Sequence, residues 1–166
     1  MSTTVSDYFG SLVFDDRVMR AKLPSSVYDS LKKTIDEGAV LDTHVANAVA
    51  EARRTGADVI LCTGGMSVDP DDNTPGGIRQ SGARIVTYGA PVLPGAMFLL
   101  GYFEDDTPIM GLPGCVMYAG ATIFDLALPR IAAGVEMTRT DFAVMGEGGL
   151  CLGCRPCHWP DCPFGR

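Results

Sequence analysis

Two stretches of the 166-residue chain carry side chains whose types and spacing suit chemistry. The first is Thr63-Gly64-Gly65-Met66-Ser67-Val68-Asp69-Pro70-Asp71-Asp72-Asn73-Thr74-Pro75. Paired glycines let bare backbone N–H groups approach phosphate oxygens. Thr74-Pro75 reads as a helix start, with a hydroxyl N-cap and proline at the first helical position. That helix start would add its dipole to the attraction for an anion. Asp69, Asp71 and Asp72 would repel a phosphate directly, so their chemical use is to hold Mg²⁺ or to orient a nucleophile. An acidic loop between a strand and a helix has the same composition, and residue types alone leave both readings open.

The second stretch is Cys151-Leu152-Gly153-Cys154-Arg155-Pro156-Cys157-His158-Trp159-Pro160-Asp161-Cys162-Pro163, which holds four of the six cysteines. Thiols at this density in a cytoplasmic chain point to metal chemistry rather than to a disulfide framework. The spacing is near that of the run that ligates iron–sulfur clusters, where the last interval is one residue shorter. Tetrahedral Zn²⁺ on Cys151, Cys154, Cys157 and Cys162 fits equally well, with His158 able to replace one sulfur. A set of unpaired thiols is the plain alternative. Of the other two thiols, Cys62 reads as a small core residue and Cys115 as either a site residue or a buried helix position.

The elements that must position these stretches change character near residue 50. Residues 1–50 hold few glycines and most of the lysines, and they read as helices. Pro24-Ser25-Ser26 opens one helix, with Val27, Leu31 and Ile35 at helical spacing. Asp42-Thr43 opens another, with Val45, Ala46, Val49 and Ala52 on one face and Gly56 as its stop. His44 falls on the polar side of that pattern. From Glu51 onward, strands and helices alternate. The pattern predicts a strand at 57–62, a helix at 74–81, a strand at 84–88, a hairpin of 96–103 with 108–112, and a long helix from Cys115 to about Ala133. Such alternation implies an α/β sheet with helices on both faces. Met97, Met110, Met117 and Met145 read as core filler.

Composition bounds the function. A net charge of -7 with no basic cluster excludes a nucleic-acid surface, though a small phosphorylated ligand remains open to amides and a metal. The longest uncharged run, 85–103, is broken by Pro91, Pro94 and several glycines, so no membrane span is expected. No signal-peptide pattern opens the sequence, and the expected location is the cytoplasm.

Residues 57–150 resemble the molybdopterin-binding domain of molybdenum-cofactor biosynthesis proteins. Thr63-Gly64-Gly65 after a strand, Asp72-Asn73-Thr74-Pro75 at the matching distance, and Gly111-Leu112-Pro113-Gly114 before a helix carry the likeness, in this order and spacing. Pro91-Val92-Leu93-Pro94-Gly95-Ala96-Met97 is similar to that family's pterin-facing loop, and some such proteins end in a comparable cysteine-rich tail. The resemblance implies a three-layer α/β/α sandwich of the molybdopterin-binding type, N-terminally incomplete and preceded by a short helical segment. It implies molybdopterin or adenylylated molybdopterin as ligand, bound through Thr63, Gly64, Gly65, Met66, Ser67, Thr74, Pro113, Gly114 and Cys115. If the chain is catalytic, Asp72 with Asp69 or Asp71 would position Mg²⁺ for adenylyl or molybdenum transfer. A nucleotide and a second copy of the chain are further partners it implies.

Residues 5–50 are similar to something else. Val5-Ser6-Asp7-Tyr8-Phe9-Gly10-Ser11-Leu12-Val13-Phe14-Asp15, with Met19, Leu23-Pro24, Tyr28 and Leu41-Asp42 through Asn47, resembles the extreme N-terminus of type III glutamine synthetases. None of that family's substrate-binding parts follow. The expected organisation is therefore a helical segment at 1–50, a molybdopterin-binding domain at 51–150 and a metal-binding tail at 151–166. The junction falls at 50–53 and the sheet lacks its first strand. The alternative function is a non-catalytic metal carrier, with iron–sulfur or zinc in the tail and a vestigial cleft.

Overall fold

The computed structural model describes Ser25, Asp29 and residues 41–68 and 72–166. Most of the glutamine-synthetase-like segment, and most of the helix expected after Pro24, lie outside the described residues. The described chain contains α1 (Leu41–Arg54), β1 (Ile60–Thr63), α2 (Thr74–Gln80), β2 (Arg84–Tyr88), β3 (Leu99–Tyr102), β4 (Pro108–Leu112), α3 (Ile123–Ala132) and α4 (Arg139–Val144). Short 3₁₀ turns follow at Gly114–Met117 and Met145–Gly148.

One four-stranded sheet runs in the order β1-β4-β3-β2. β1 pairs with β4 in parallel, with Thr63 opposite Leu112, while β4, β3 and β2 are successive antiparallel neighbours. The tight turn at Glu104-Asp105-Asp106 explains the hairpin of β3 and β4, with Asp106 at φ 61 and the Asp105 carboxylate accepting the Thr107 N–H.

Side-chain alternation divides the sheet between two cores, as a period of two requires. Leu99 and Ile109 join Val49 of α1, Met66 and Ile78 of α2 on one face. Leu100, Tyr102, Met110 and Leu112 join Ile123, Ala127 and Ile131 of α3, together with Phe142 of α4 and Met145, on the other. Helices thus cover both faces of a mixed sheet, the three-layer arrangement expected from the sequence. The apolar face of α1 is also as expected, with Val49 buried and Val45 and Ala52 packed beside it, and His44 is exposed. α1 runs unbroken through residues 50–53, where the sequence suggested a junction.

The long helix expected from Cys115 to Ala133 is absent. A 3₁₀ turn ends at Met117, and α3 starts only at Ile123. Thr122 takes an extended conformation and forms a capping box with Asp125, whose carboxylate accepts the Thr122 N–H at 2.7 Å. Two good start signals beat continuous apolar composition, because a reciprocal cap satisfies donors that a longer helix would have to bury elsewhere. Met117 is correspondingly 79% exposed rather than core, whereas Met110 and Met145 are buried as expected.

Gly111 explains how the glycine-rich loop seats on the sheet. A Cβ there would lie 2.6 Å from the Met66 methyl, 2.7 Å from its sulfur and 3.2 Å from the Leu99 Cβ. Met66, 2% exposed, fills the space that Gly111 leaves. Gly111→Ala is therefore expected to destabilise the fold by about 1–3 kcal/mol through overpacking. Truncating Met66 in that background should recover part of the loss in urea unfolding; strictly additive effects of the two changes would refute the contact.

Candidate functional site

The three resembling segments all lie at one end of the sheet, and the strand register dictates it. β1 ends at Thr63 beside Leu112, the last residue of β4. The glycine pair and the Leu112-Pro113-Gly114 turn therefore leave neighbouring strands side by side, one inter-strand spacing of roughly 5 Å apart. β2 is parallel in sense to β4, so Tyr88 ends at the same level, and the loop from Gly89 to Phe98 returns there to begin β3. This is the carboxyl-end crevice where open α/β sheets take ligands.

Gly64 and Gly65 both adopt left-handed backbone, φ 80 and φ 55. Turns of this kind expose successive backbone N–H groups, the donors that anion-binding concavities use. Thr74, buried against the turn, donates its hydroxyl to the Gly64 carbonyl at 2.8 Å, and a Cβ on Gly65 would sit 2.8 Å from that hydroxyl oxygen. The sequence had assigned this hydroxyl to capping its own helix. In the structure the N-cap is Asn73, and Thr74 instead braces the glycine turn. α2 is seven residues long, so its dipole contributes little beyond its first-turn amides.

Asp72 is half-buried, and its carboxylate accepts the Ser67 N–H, closing the loop across its base. Asp69 and Asp71 lie outside the described residues. The expected site residues Thr63, Gly64, Gly65, Ser67, Asp72, Thr74, Pro113, Gly114 and Cys115 thus gather at one end. Met66 shares that end, but its side chain belongs to the core, which leaves only its backbone to face a ligand.

The second turn is more open. Pro113 is buried and Gly114 exposed, with nothing within 4 Å of where its Cβ would be. The sequence predicts a long helix beginning at Cys115, directly after this turn. The Val116 N–H is instead bound to the Pro113 carbonyl at 3.2 Å within the 3₁₀ turn. The Cys115 sulfur lies near the amides of Cys115 and Val116, which favour its thiolate, but burial outweighs them and raises its pKa. Burial alone pushes the Cys62 thiol up to about 11, which fits its place in the core.

The tail packs beside this end of the molecule. The Leu93 N–H donates to the Gly149 carbonyl at 2.7 Å, and the Cys151 N–H donates to the Leu93 carbonyl at 2.8 Å, tying the tail to the loop before β3. Phe164 enters the core of α3, and Trp159 packs at its edge. Cys151, Cys154, Cys157, His158 and Cys162 line one small cavity of about 40 Å³ together with Ala121 and Trp159. Their side chains do not converge as a ligand set: among the described residues no group of three or more His, Cys, Asp or Glu is placed to hold a metal ion. The residues share a cavity, but as they stand they do not fit Zn²⁺ or an iron–sulfur cluster, and neither Asp72 nor its described neighbours form a Mg²⁺ cage.

A larger open cleft of about 370 Å³ lies at the opposite end, lined by Arg53, Asp58, Asp105 and Asp106. The Arg53 guanidinium binds the Asp105 carboxylate at 2.8 Å, holding that exposed group down to about 2. Size here does not follow chemistry, since this cleft lies outside the amino ends of β1 and β4. Among the described residues, no helix is long and apolar enough to cross a membrane.

One protein family, described as a probable molybdopterin binding domain, matches residues 32–133 of the chain. The match spans well over half of the sequence, including α1, the whole sheet and both glycine turns. No curated protein matches.

The thiol environments make a testable contrast. Iodoacetamide at pH 8 should modify exposed Cys154 and Cys157 first. Cys62, with its pKa pushed to about 11, should react on the order of 100-fold more slowly than an unshifted buried thiol, because only the thiolate attacks. Its rate should climb as pH rises from 9 toward 11. Mass spectrometry of timed aliquots reads both, and early labelling of Cys62 would contradict the burial described.

Proposed function

The chain belongs to the family of probable molybdopterin binding domains, and from that membership we propose that it holds molybdopterin by its terminal phosphate at the two glycine turns. One observation carries the reading: the parallel register that sets Thr63 opposite Leu112 brings Gly64-Gly65 and Pro113-Gly114 to adjacent strand ends. Backbone amides answer the phosphate charge there without a basic side chain, which suits a protein of net charge -7. The left-handed pair at Gly64 and Gly65, braced by Thr74, supplies preformed donors that need no reorganisation on binding.

Asp72 is the described carboxylate of the glycine-rich loop. Held by the Ser67 amide, it fixes the loop, and its charge keeps a phosphate on the amide side. Adenylyl or molybdenum transfer would draw on a divalent cation, for which Asp72, Asp69 and Asp71 are the carboxylates of that loop. An adenylylated ligand or a nucleotide would extend from the same phosphate seat. We assign the tail no step in this chemistry. Its reading as a zinc or iron–sulfur carrier rests on a single observation, the cavity shared by four thiols, and requires those side chains to converge on binding. Metal analysis of anaerobically purified protein checks it, with one equivalent of zinc, or iron with labile sulfide, as the supporting result.

Calorimetry with molybdopterin should show binding that Mg²⁺ strengthens. Gly65→Ala should weaken it by about tenfold or more, or ~1.4 kcal/mol, because the added methyl meets the Thr74 hydroxyl and strains a left-handed residue. Asp72→Asn keeps an acceptor for Ser67, so it should abolish the Mg²⁺ dependence, and because it removes a charge that repels phosphate the metal-free affinity should hold or rise. No heat at high micromolar ligand would end the proposal.

A further inference from the structure

The row Cys62–Gly111–Leu99–Tyr88 crosses the sheet as consecutive register partners, one residue below the crevice. Its members share the face that α1 and α2 cover. Met66 closes over Gly111 and Leu99, but the cover stops short of the far end, where Tyr88 is 37% exposed. The Arg79 guanidinium, from the last turn of α2, lies over that ring at 5.9 Å from its centroid. Helical side chains lean toward the helix N-terminus, which here brings Arg79 up from α2 toward the crevice.

We propose that Tyr88 and Arg79 seat the planar heterocyclic end of the ligand whose phosphate lies at the glycine turns. The inference rests on the phosphate reading above and adds a second contact region to the same site. From β4, which carries the Pro113-Gly114 turn, to β2 is two inter-strand spacings, roughly 10 Å. That separation suits a ligand with a phosphate at one end and a fused ring at the other. Asp72 joins the two regions: its carboxylate holds the Ser67 amide, and its charge reaches the Tyr88 phenol, whose pKa is raised by burial and then by Asp72.

Two comparisons favour this pair over the other aromatic and basic groups of the described chain. Tyr118 follows the second turn but is 83% exposed, so nothing holds its ring as a preformed platform. Arg53, Arg54 and Arg84 are engaged by Asp105, Glu51 and Glu136, whereas no described carboxylate forms an ion pair with Arg79. A guanidinium poised above an aromatic ring recognises a flat, carbonyl-bearing heterocycle by stacking and by planar donation.

The test uses the full chain with two probes, inorganic phosphate and a 6-alkylpterin monophosphate, the second followed by quenching of pterin fluorescence. Tyr88→Leu and Arg79→Gln should each weaken the pterin phosphate by about 5- to 100-fold, as loss of one stacking contact does, while affinity for inorganic phosphate stays within about twofold. Tyr88→Phe should retain binding, which also guards against misfolding of the leucine variant. Unchanged pterin affinity in Tyr88→Leu and Arg79→Gln overturns the proposal, and so does an equal loss for both probes. A wild-type protein that binds inorganic phosphate and gains nothing from the pterin sinks this inference alone. Binding of neither probe sinks the phosphate reading and this one with it.

Discussion

The parallel pairing of β1 with β4 is the constraint on which the rest of the molecule depends. These strands are separated in sequence by a helix and two further strands, so their ends meet only because the whole α/β unit closes. Once Thr63 is opposite Leu112, the two glycine turns have no freedom to lie apart. The proposed phosphate seat is then built almost entirely from backbone: left-handed Gly64 and Gly65, exposed Gly114 and the amides that follow them. Side chains act mainly as braces, Thr74 against the Gly64 carbonyl and Asp72 against the Ser67 amide. Anion recognition by fixed dipoles tolerates a net negative protein, because the donors act at contact distance while the distant carboxylates are screened.

Much of this was legible in the sequence. Alternating strands and helices gave the layered α/β fold, and Arg84–Tyr88 and the β3–β4 hairpin were readable from β-branched runs and an acidic turn. The two glycine motifs were legible as turns, and the resemblance to molybdopterin-binding domains implied that both serve one ligand. Features that depend on three-dimensional partners were harder. Nothing local says that the Thr74 hydroxyl serves Gly64, ten residues back, rather than its own helix, or that Met66 is core because Gly111 makes room for it. The break between Met117 and Ile123 had a local signal in Thr122 and Asp125, which the apolar run around it masked. Tyr88 and Arg79 carried no motif, and only the sheet register and the ring contact bring them to notice.

The family match begins at residue 32, inside the segment that resembles a glutamine synthetase N-terminus. α1 fits that extent: it crosses residue 50 without a break and puts Val49 into the core shared with Ile60, Ile78 and Leu99. Whatever its sequence resembles, this helix is an integral layer of the domain. The tail is likewise integral, since Phe164 is buried among α3 residues and Gly165 lies where a Cβ would strike Leu126. Four thiols are therefore held on an anchored segment. A mobile extension would offer them no fixed neighbours.

The alternation along β3 and β4 has a mechanical consequence. Leu99 and Ile109 face one core while their immediate neighbours Leu100 and Met110 face the other. Neither half can loosen without bending the shared backbone that frames its counterpart, so damage on the α1–α2 side is transmitted to the side that holds the tail. Such a slab is expected to melt as a single cooperative unit, its two layers lost together.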